Sequence, residues 1–286
     1  MKIPHRFAPL VEDGLVDEVV RQLMSGKEAT VFVVRCGEET RCAKVYKEAN
    51  RRSFRQAVDY VEGRKTKNSR KSRAMDKGTR YGRKSQEEAW QSAEVEALYR
   101  LAAAGVRVPA PYNFCEGVLL MELVTDGDGN PAPRLNDVEF SAEDARKHHY
   151  TLMMEIVRML CAGIVHGDLS EYNVLLASSG LVIIDLPQAV DAAGNNHARS
   201  MLERDVRNLT NYFGRFAPEL LSTAYGKEIW SLYEAGTLNP DVQLSGIFER
   251  SLQPVDLDTV VLAIDDARAE DAARRLRLAQ RQNWLS

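Results

Sequence analysis

At 286 residues, 44% hydrophobic and 28% charged, the chain has the composition of a soluble globular protein with room for one large core or two lobes. Its formal net charge of −3 excludes a global attraction to nucleic acid or to an anionic membrane, so any such contact must come from a local patch. No apolar run approaches the ~18 residues of a membrane span, and the opening Met1-Lys2-Ile3-Pro4-His5-Arg6 lacks the apolar core of a signal peptide. The expectation is a cytoplasmic protein with no membrane partner. Cys36, Cys42, Cys115 and Cys161 form neither a Cys-x-x-Cys pair nor a metal-ligand grouping, so they read as small buried apolar residues in a reducing compartment.

In chain order, Leu10, Leu15, Val16, Val19, Val20 and Leu23 fall near a helical period, which predicts a short amphipathic helix over 10–24. Ser25-Gly26-Lys27-Glu28-Ala29 then precedes the strand-like Thr30-Val31-Phe32-Val33-Val34. A turn of small residues before a strand lets backbone N–H groups approach phosphate oxygens, although with one glycine it also reads as an ordinary turn. Gly37-Glu38-Glu39-Thr40 predicts a hairpin turn into a second strand, Arg41–Lys47. Lys44 lies there between Ala43 and Val45, where its ammonium group either reaches nucleotide phosphates or stands exposed on the strand.

Between Val61 and Ser85 ten basic residues, from Arg64 to Lys84, face only Glu62 and Asp76. With few apolar residues to hold it, this segment reads either as a solvated loop or as a contact for an anionic partner such as RNA or a ribosomal particle. Glu87–Ala104 follows as a predicted helix ended by Gly105, with Val95, Leu98 and Leu101 as its apolar stripe. Glu94 lies one turn before Leu98 on that buried side, where an ion-pair partner for Lys44 is needed. Pro109 and Pro111 break the chain, Val118–Val124 is a buried strand, and the turn-rich Gly127, Gly129, Pro131 and Pro133 mark the boundary between an N-terminal lobe, 1–124, and a C-terminal lobe, 125–286. Ser141, with Asp144 at the capping-box distance, opens a helix that runs to Gly163.

That helix leads into His166-Gly167-Asp168-Leu169-Ser170-Glu171-Tyr172-Asn173, and the apolar Leu181-Val182-Ile183-Ile184 ends on Asp185. Two carboxylates and an amide at this spacing are the layout of a phosphoryl-transfer centre, in which one carboxylate accepts a proton while the amide and the second carboxylate hold metal ions on the phosphates. The competing reading is a pair of polar turns between strands. Leu202, Val206, Leu209 and Phe213, with Asp205 among them, predict a further helix, and 219–286 reads as helices and turns with balanced charge.

Taken in order, Ser-Gly-Lys-Glu-Ala-x-Val at 25–31, Ala-Lys-Val-Tyr-Lys at 43–47, His-Gly-Asp-Leu-Ser-Glu-Tyr-Asn at 166–173 and Ile-Asp-Leu-Pro-Gln-Ala-Val at 184–190 resemble the RIO family of atypical protein kinases, in its short bacterial type. The resemblance covers roughly residues 20–215. It implies an α+β, two-lobed protein-kinase-like fold with an antiparallel N-lobe sheet plus a helix, a mainly helical C-lobe and no long activation segment. It implies ATP with Mg2+ or Mn2+ in the cleft. The phosphate loop would be Gly26–Val31 with Ser25, including Lys27, Glu28 and Ala29. Lys44 would pair with Glu94, Met121-Glu122-Leu123 would lie beside the adenine, Asp168 would be the base, and Asn173 and Asp185 would hold the metal. The activity implied is transfer of the ATP γ-phosphate to a serine or threonine hydroxyl, including the protein's own, on an acceptor the sequence does not name. The alternatives are an ATPase switch on ribosomal particles and, because His-Gly-Asp-Leu recurs there, a small-molecule kinase of the aminoglycoside or choline type.

The basic segment yields a test of its own. If it docks RNA, affinity for single-stranded RNA should fall with salt at a log–log slope near −0.7 per contacted phosphate. Replacing Arg70, Lys71, Arg73, Arg80, Arg83 and Lys84 with Gln should then flatten that slope without changing ATP affinity. Titrations at several salt concentrations decide the matter: an unchanged slope makes the segment a solvated tether.

Overall fold

Strict alternation builds the first lobe. In β2 (Ala29–Cys36), β3 (Glu39–Tyr46) and β5 (Val118–Glu122), side chains at every second position face one side of the sheet. Phe32 and Val34, Ala43 and Val45, and Val118 and Leu120 form one apolar face, while Tyr46 and Leu119 point to the other. The computed structural model describes residues 5–26, 28–47 and 93–248. The basic segment 61–85, Lys27, the first part of the helix expected from Glu87 and everything beyond Phe248 lie outside them.

Five antiparallel strands run in the order β1-β2-β3-β5-β4, with β1 at Glu18–Ser25 and β4 at Pro111–Cys115. The β2–β3 hairpin turns at Gly37, whose φ of 65° is the left-handed conformation that favours glycine. Cys36 pairs with Glu39, and Cys42 with Val33, so the two cysteines are not opposite each other, and all four cysteines are free.

Two expectations fail here. The helix predicted over 10–24 is instead a 3-10 turn (His5–Phe7), a short helix α1 (Ala8–Glu12), a break at Gly14 (φ 68°) and strand β1. The misleading period has a physical cause. β1 is an edge strand with only Val19 and Leu23 partly covered, and these stand four apart, a spacing that shares one face on a strand as it does on a helix. Pro111, expected only to break the chain, begins β4. Proline is tolerated there because it opens an edge strand and withholds one N–H from the ladder.

The outer face of the sheet is covered by Phe7, Leu10 and Val16, which complete a small core with Phe32, Val34, Ala43, Val45, Val118 and Leu120. On the inner face lies helix α2, described over 93–103 and ended by Gly105 at φ 75°. Its Val95, Leu98 and Leu101 join Tyr46 and Leu119 in the main core.

The second lobe is built on α3 (Ala142–Cys161). Ser141 caps it, accepting from the Asp144 N–H at 3.0 Å, and Leu152, Met153, Val157 and Leu160 of α3 are fully buried. Gly163, at φ 72°, stops the helix. Strand β6 (Ile164–Val165) follows, then the hairpin of β7 (Val174–Ala177) and β8 (Gly180–Ile183), and β9 (Val190–Asp191), which pairs with β6. Helix α4 (Ala198–Phe213) begins only twelve residues after Leu186, so a short β9 turn stands where a long activation segment would run. Helix α5 (Tyr225–Glu234) packs on α4. No described helix is long and apolar enough to cross a membrane.

The outer core depends on one aromatic contact, Phe7 edge-on to Phe32 with ring centroids 5.4 Å apart. Phe7→Ala removes a fully buried ring and should cost about 3–5 kcal/mol. Chemical denaturation checks this; a loss near zero would mean that the N-terminal segment does not hold the sheet.

Candidate active site

The site is assembled from both lobes around Lys44. In the three-strand register Lys44 stands between Val31 on β2 and Leu119 on β5, on the inner face of the sheet. Its ammonium nitrogen is 2.5 Å from Glu94 Oε1 on α2 and 2.8 Å from Asp185 Oδ1, just beyond β8. Burial disfavours the Lys44 cation, but Glu94 and Asp185 outweigh it and hold its pKa well above the usual lysine value. The Tyr46 hydroxyl lies beside Glu94 and is raised mainly by burial. Neither that hydroxyl nor Glu94 Oε2 makes a hydrogen bond of normal geometry.

Asp185 has a φ of 66°, a left-handed conformation that costs a residue with a Cβ about 1–2 kcal/mol. Strain of this kind collects at functional positions. Burial pushes the Asp185 carboxyl up, yet Lys44 overrides it and the group stays below its ordinary value. The side chain is about half exposed, 47%, which leaves its second oxygen open to the cleft.

Asp168 follows Gly167, which takes φ 80°. Partial burial holds its carboxyl above the usual range, against the pull of the Arg204 cation. His166 is buried and neutral, its pKa lowered by desolvation. Its Nδ1 accepts the Asp168 N–H at 3.3 Å, so Nε2 carries the proton and donates it to the Ile184 carbonyl at 3.1 Å. Through this ring the loop of Asp168 is tied to the residue before Asp185. Asn173 donates Nδ2 to the Asp168 carbonyl at 2.8 Å, which turns its own oxygen away from that bond.

Three residues of α4 hold the loop from beneath. Asp205, 2% exposed, accepts the N–H of Gly167 at 2.8 Å and of Leu169 at 3.1 Å. Arg204 donates to the Gly167 carbonyl, and Asn208 donates to the Leu169 carbonyl at 3.1 Å. Burial pushes the Asp205 carboxyl up to about 7 in spite of the two N–H donors. Sequence reasoning noticed Asp205 but gave no role to it, Arg204 or Asn208. The available signal was a carboxylate set inside the apolar stripe of Leu202, Val206 and Leu209, since a buried charge there needs partners.

The Ser25–Ala29 turn joins β1 to β2, with the Gly26 N–H bonded to the Ala29 carbonyl at 2.9 Å. A methyl group on Gly26 would meet only ordinary contacts, so the glycine is not demanded by the fold. Lys47, which the sequence did not single out, clasps this turn: its ammonium reaches Ser25 Oγ at 3.0 Å and the Gly26 carbonyl at 2.5 Å. Val31 faces Lys44 across the ladder, and Glu28 accepts the Lys47 N–H at 2.8 Å. Met121 ends the inner face of β5. The Glu122 carboxylate is engaged by Arg107 at 2.8 and 2.9 Å, so what Glu122 offers a ligand is its main chain. No hydrogen bond to another described residue engages the main chain of Leu123.

If α4 sets the loop, Asp205→Asn should slow turnover about 100-fold while ATP affinity changes little, because an amide meets one of the two N–H groups with its own donor. The pH dependence has a definite sign. A carboxyl near 7 when folded and 3.8 otherwise binds its proton more tightly in the folded state, so its stabilisation is complete below about 3.8 and lost as pH rises through 7. Unfolding of wild type and Asp205→Asn across pH 4–8 should differ by that declining slope; parallel curves would contradict it.

Comparison with known proteins shows the family and the fold. The RIO domain family matches residues 30–225. The RIO-type serine/threonine-protein kinase Rio1 of Haloferax volcanii is 39% identical over 208 residues, covering 72% of this chain and 67% of that protein. The human serine/threonine-protein kinase RIO1 is 30% identical over 211 residues, covering 73% of this chain but only 35% of its own length. Among solved structures, the Rio2 kinase of Chaetomium thermophilum in its ADP/Mg2+-phosphoaspartate complex superposes with a TM-score of 0.55 at 22% identity, over 79% of this chain and 64% of that one. The two-lobed fold is therefore that of protein kinases, and the chain belongs to the RIO domain family.

Proposed function

We propose that the protein is an ATP-dependent serine/threonine protein kinase of the RIO type. The observation that carries this reading is the three-way contact of Lys44 with Glu94 and Asp185, which brings a cation from the sheet, a carboxylate from α2 and a carboxylate from the second lobe to one point. In kinases that lysine holds the nucleotide phosphates and its glutamate partner holds the lysine in place. The names of the relatives support the class of reaction, while the acceptor is left to experiment.

The residues have distinct tasks in this reading. Lys44 and the main chain of the Ser25–Val31 turn meet the phosphates, with Lys47 bracing the turn. Met121, Glu122 and Leu123 lie beside the adenine. Asn173 and Asp185 present a carbonyl oxygen and a carboxylate oxygen, the hard donors that Mg2+ takes from a protein when phosphates supply the rest. A bound Mg2+ would supply charge neutralisation on those phosphates. Asp168 accepts the proton of the attacking hydroxyl, and its raised pKa favours that role at neutral pH. Gly167 and Leu169, pinned to Asp205, keep that carboxylate at a constant place.

Asp168→Asn retains the shape of the base but cannot accept a proton. Phosphoryl transfer should fall about 10²–10⁴-fold with ATP affinity nearly unchanged. Labelled ATP, offered with and without candidate acceptors, gives the rate and the site of the label. Wild-type turnover in the variant would remove Asp168 from the mechanism, and label appearing only as free phosphate would favour an ATPase.

A further inference from the structure

The loop between α2 and β4 contains a residue, Arg107, whose main chain and guanidinium are both engaged. Arg107 donates its N–H to Glu155 Oε2 on α3 at 3.0 Å, and its carbonyl accepts the N–H of Ile183 on β8 at 2.9 Å. Both partners belong to the second lobe. Its guanidinium meets the Glu122 carboxylate with two bonds, 2.9 and 2.8 Å, at the last residue of β5. The same guanidinium reaches Ser179 Oγ, in the β7–β8 turn, at 3.3 Å.

The partners are themselves fastened. Glu122 also accepts the Ala110 N–H at 3.1 Å, and its N–H bonds back to the Ala110 carbonyl at 2.8 Å. Glu155 is 6% exposed and pairs with Arg158 at 2.5 Å. Two-bond arginine–carboxylate pairs fix orientation as well as distance. Charged groups therefore join the lobes at Lys44 with Asp185 inside the cleft, at Arg100 with Asp191 at 3.7 Å and at the Arg107 N–H with Glu155, while the Arg107 guanidinium holds Glu122 within the first lobe, behind the strand that links the lobes. Ile183, which Arg107 holds, stands two residues before Asp185.

We propose that Arg107 is a positioning residue for nucleotide binding: through Glu122 on one side and Ile183 and Glu155 on the other, it sets the linking strand against the loop of Asp185. The argument rests on the nucleotide reading of the cleft. Loss of the clamp lets the linking strand and Asp185 drift apart, which weakens ATP binding more than it slows transfer once ATP is bound.

The test is a double-mutant cycle with Arg107→Gln, Glu122→Gln and both together, with Arg107→Lys as the conservative variant. ATP affinity with Mg2+ is measured by titration, the rate at saturating ATP by label release or transfer, and the folded state by thermal unfolding. Each single change should weaken ATP binding about tenfold, which corresponds to ~1.4 kcal/mol, with the saturating rate within about threefold. The double variant should bind no more weakly than the weaker single, because the second change removes an interaction already lost, and Arg107→Lys should recover part of the affinity. Affinity unchanged in folded single variants, or two losses that multiply in the double, would overturn the clamp. Should Arg107→Gln not fold, Glu122→Gln, which still accepts from Ala110, decides by itself. A wild-type protein that binds no ATP would instead sink the nucleotide reading, an outcome distinct from failure of the clamp.

Discussion

Everything in the cleft depends on one constraint: a lysine 12% exposed must keep its charge away from water. An isolated ammonium in such a place would lose its proton, so it needs carboxylates at contact distance. Glu94 and Asp185 meet that need, and they come from opposite lobes. The ion pair is thus also a statement about geometry, because it forms only when α2 is seated on the sheet and the second lobe is drawn up beneath it. Its contribution to stability is small once desolvation is counted. Its effect is to define one arrangement of three polar groups in an otherwise apolar surrounding.

The second lobe solves a different problem, which is how to hold an irregular loop still. Residues 166–173 have no strand partner for most of their length, yet their backbone is partly buried. Each buried N–H and carbonyl must find a partner, and the loop finds them on α4 and on the His166 ring. Asp205 is placed like a core residue and bonds like a strand. The adjoining hairpin β7–β8 delivers Asp185 in a left-handed conformation, and that strain persists because Lys44 holds the carboxylate in place. Without a long segment between Asp185 and α4, these contacts are direct.

The candidate site residues were legible because phosphoryl transfer needs particular groups at particular spacings. Asp168 and Asn173 lie within one loop, Asp185 ends an apolar strand, and Lys44 interrupts an apolar alternation; each carries its signal locally. The pairing of Lys44 with Glu94 was also readable, since a carboxylate on an apolar helix stripe asks for a cation. Glu122 was read as part of the strand beside the adenine, and its carboxylate is held by Arg107, a residue without a local signal.

By itself the sequence determined the class of the fold and the order of its main strands and helices, and it picked out the candidate site residues, because periodicity, caps and short motifs act over a few residues. It misplaced residues 10–24, whose apolar spacing reads as helical but which hold the end of α1, a break at Gly14 and edge strand β1, and it overlooked β4, whose formation depends on a partner supplied by β5. Tertiary structure alone decided which charges meet across the lobes, that Asp205, Arg204 and Asn208 support the catalytic loop, and that Lys47 braces the phosphate turn. These are contacts between residues far apart in the chain, and the driving force for each is the desolvation cost of a polar group that folding has buried.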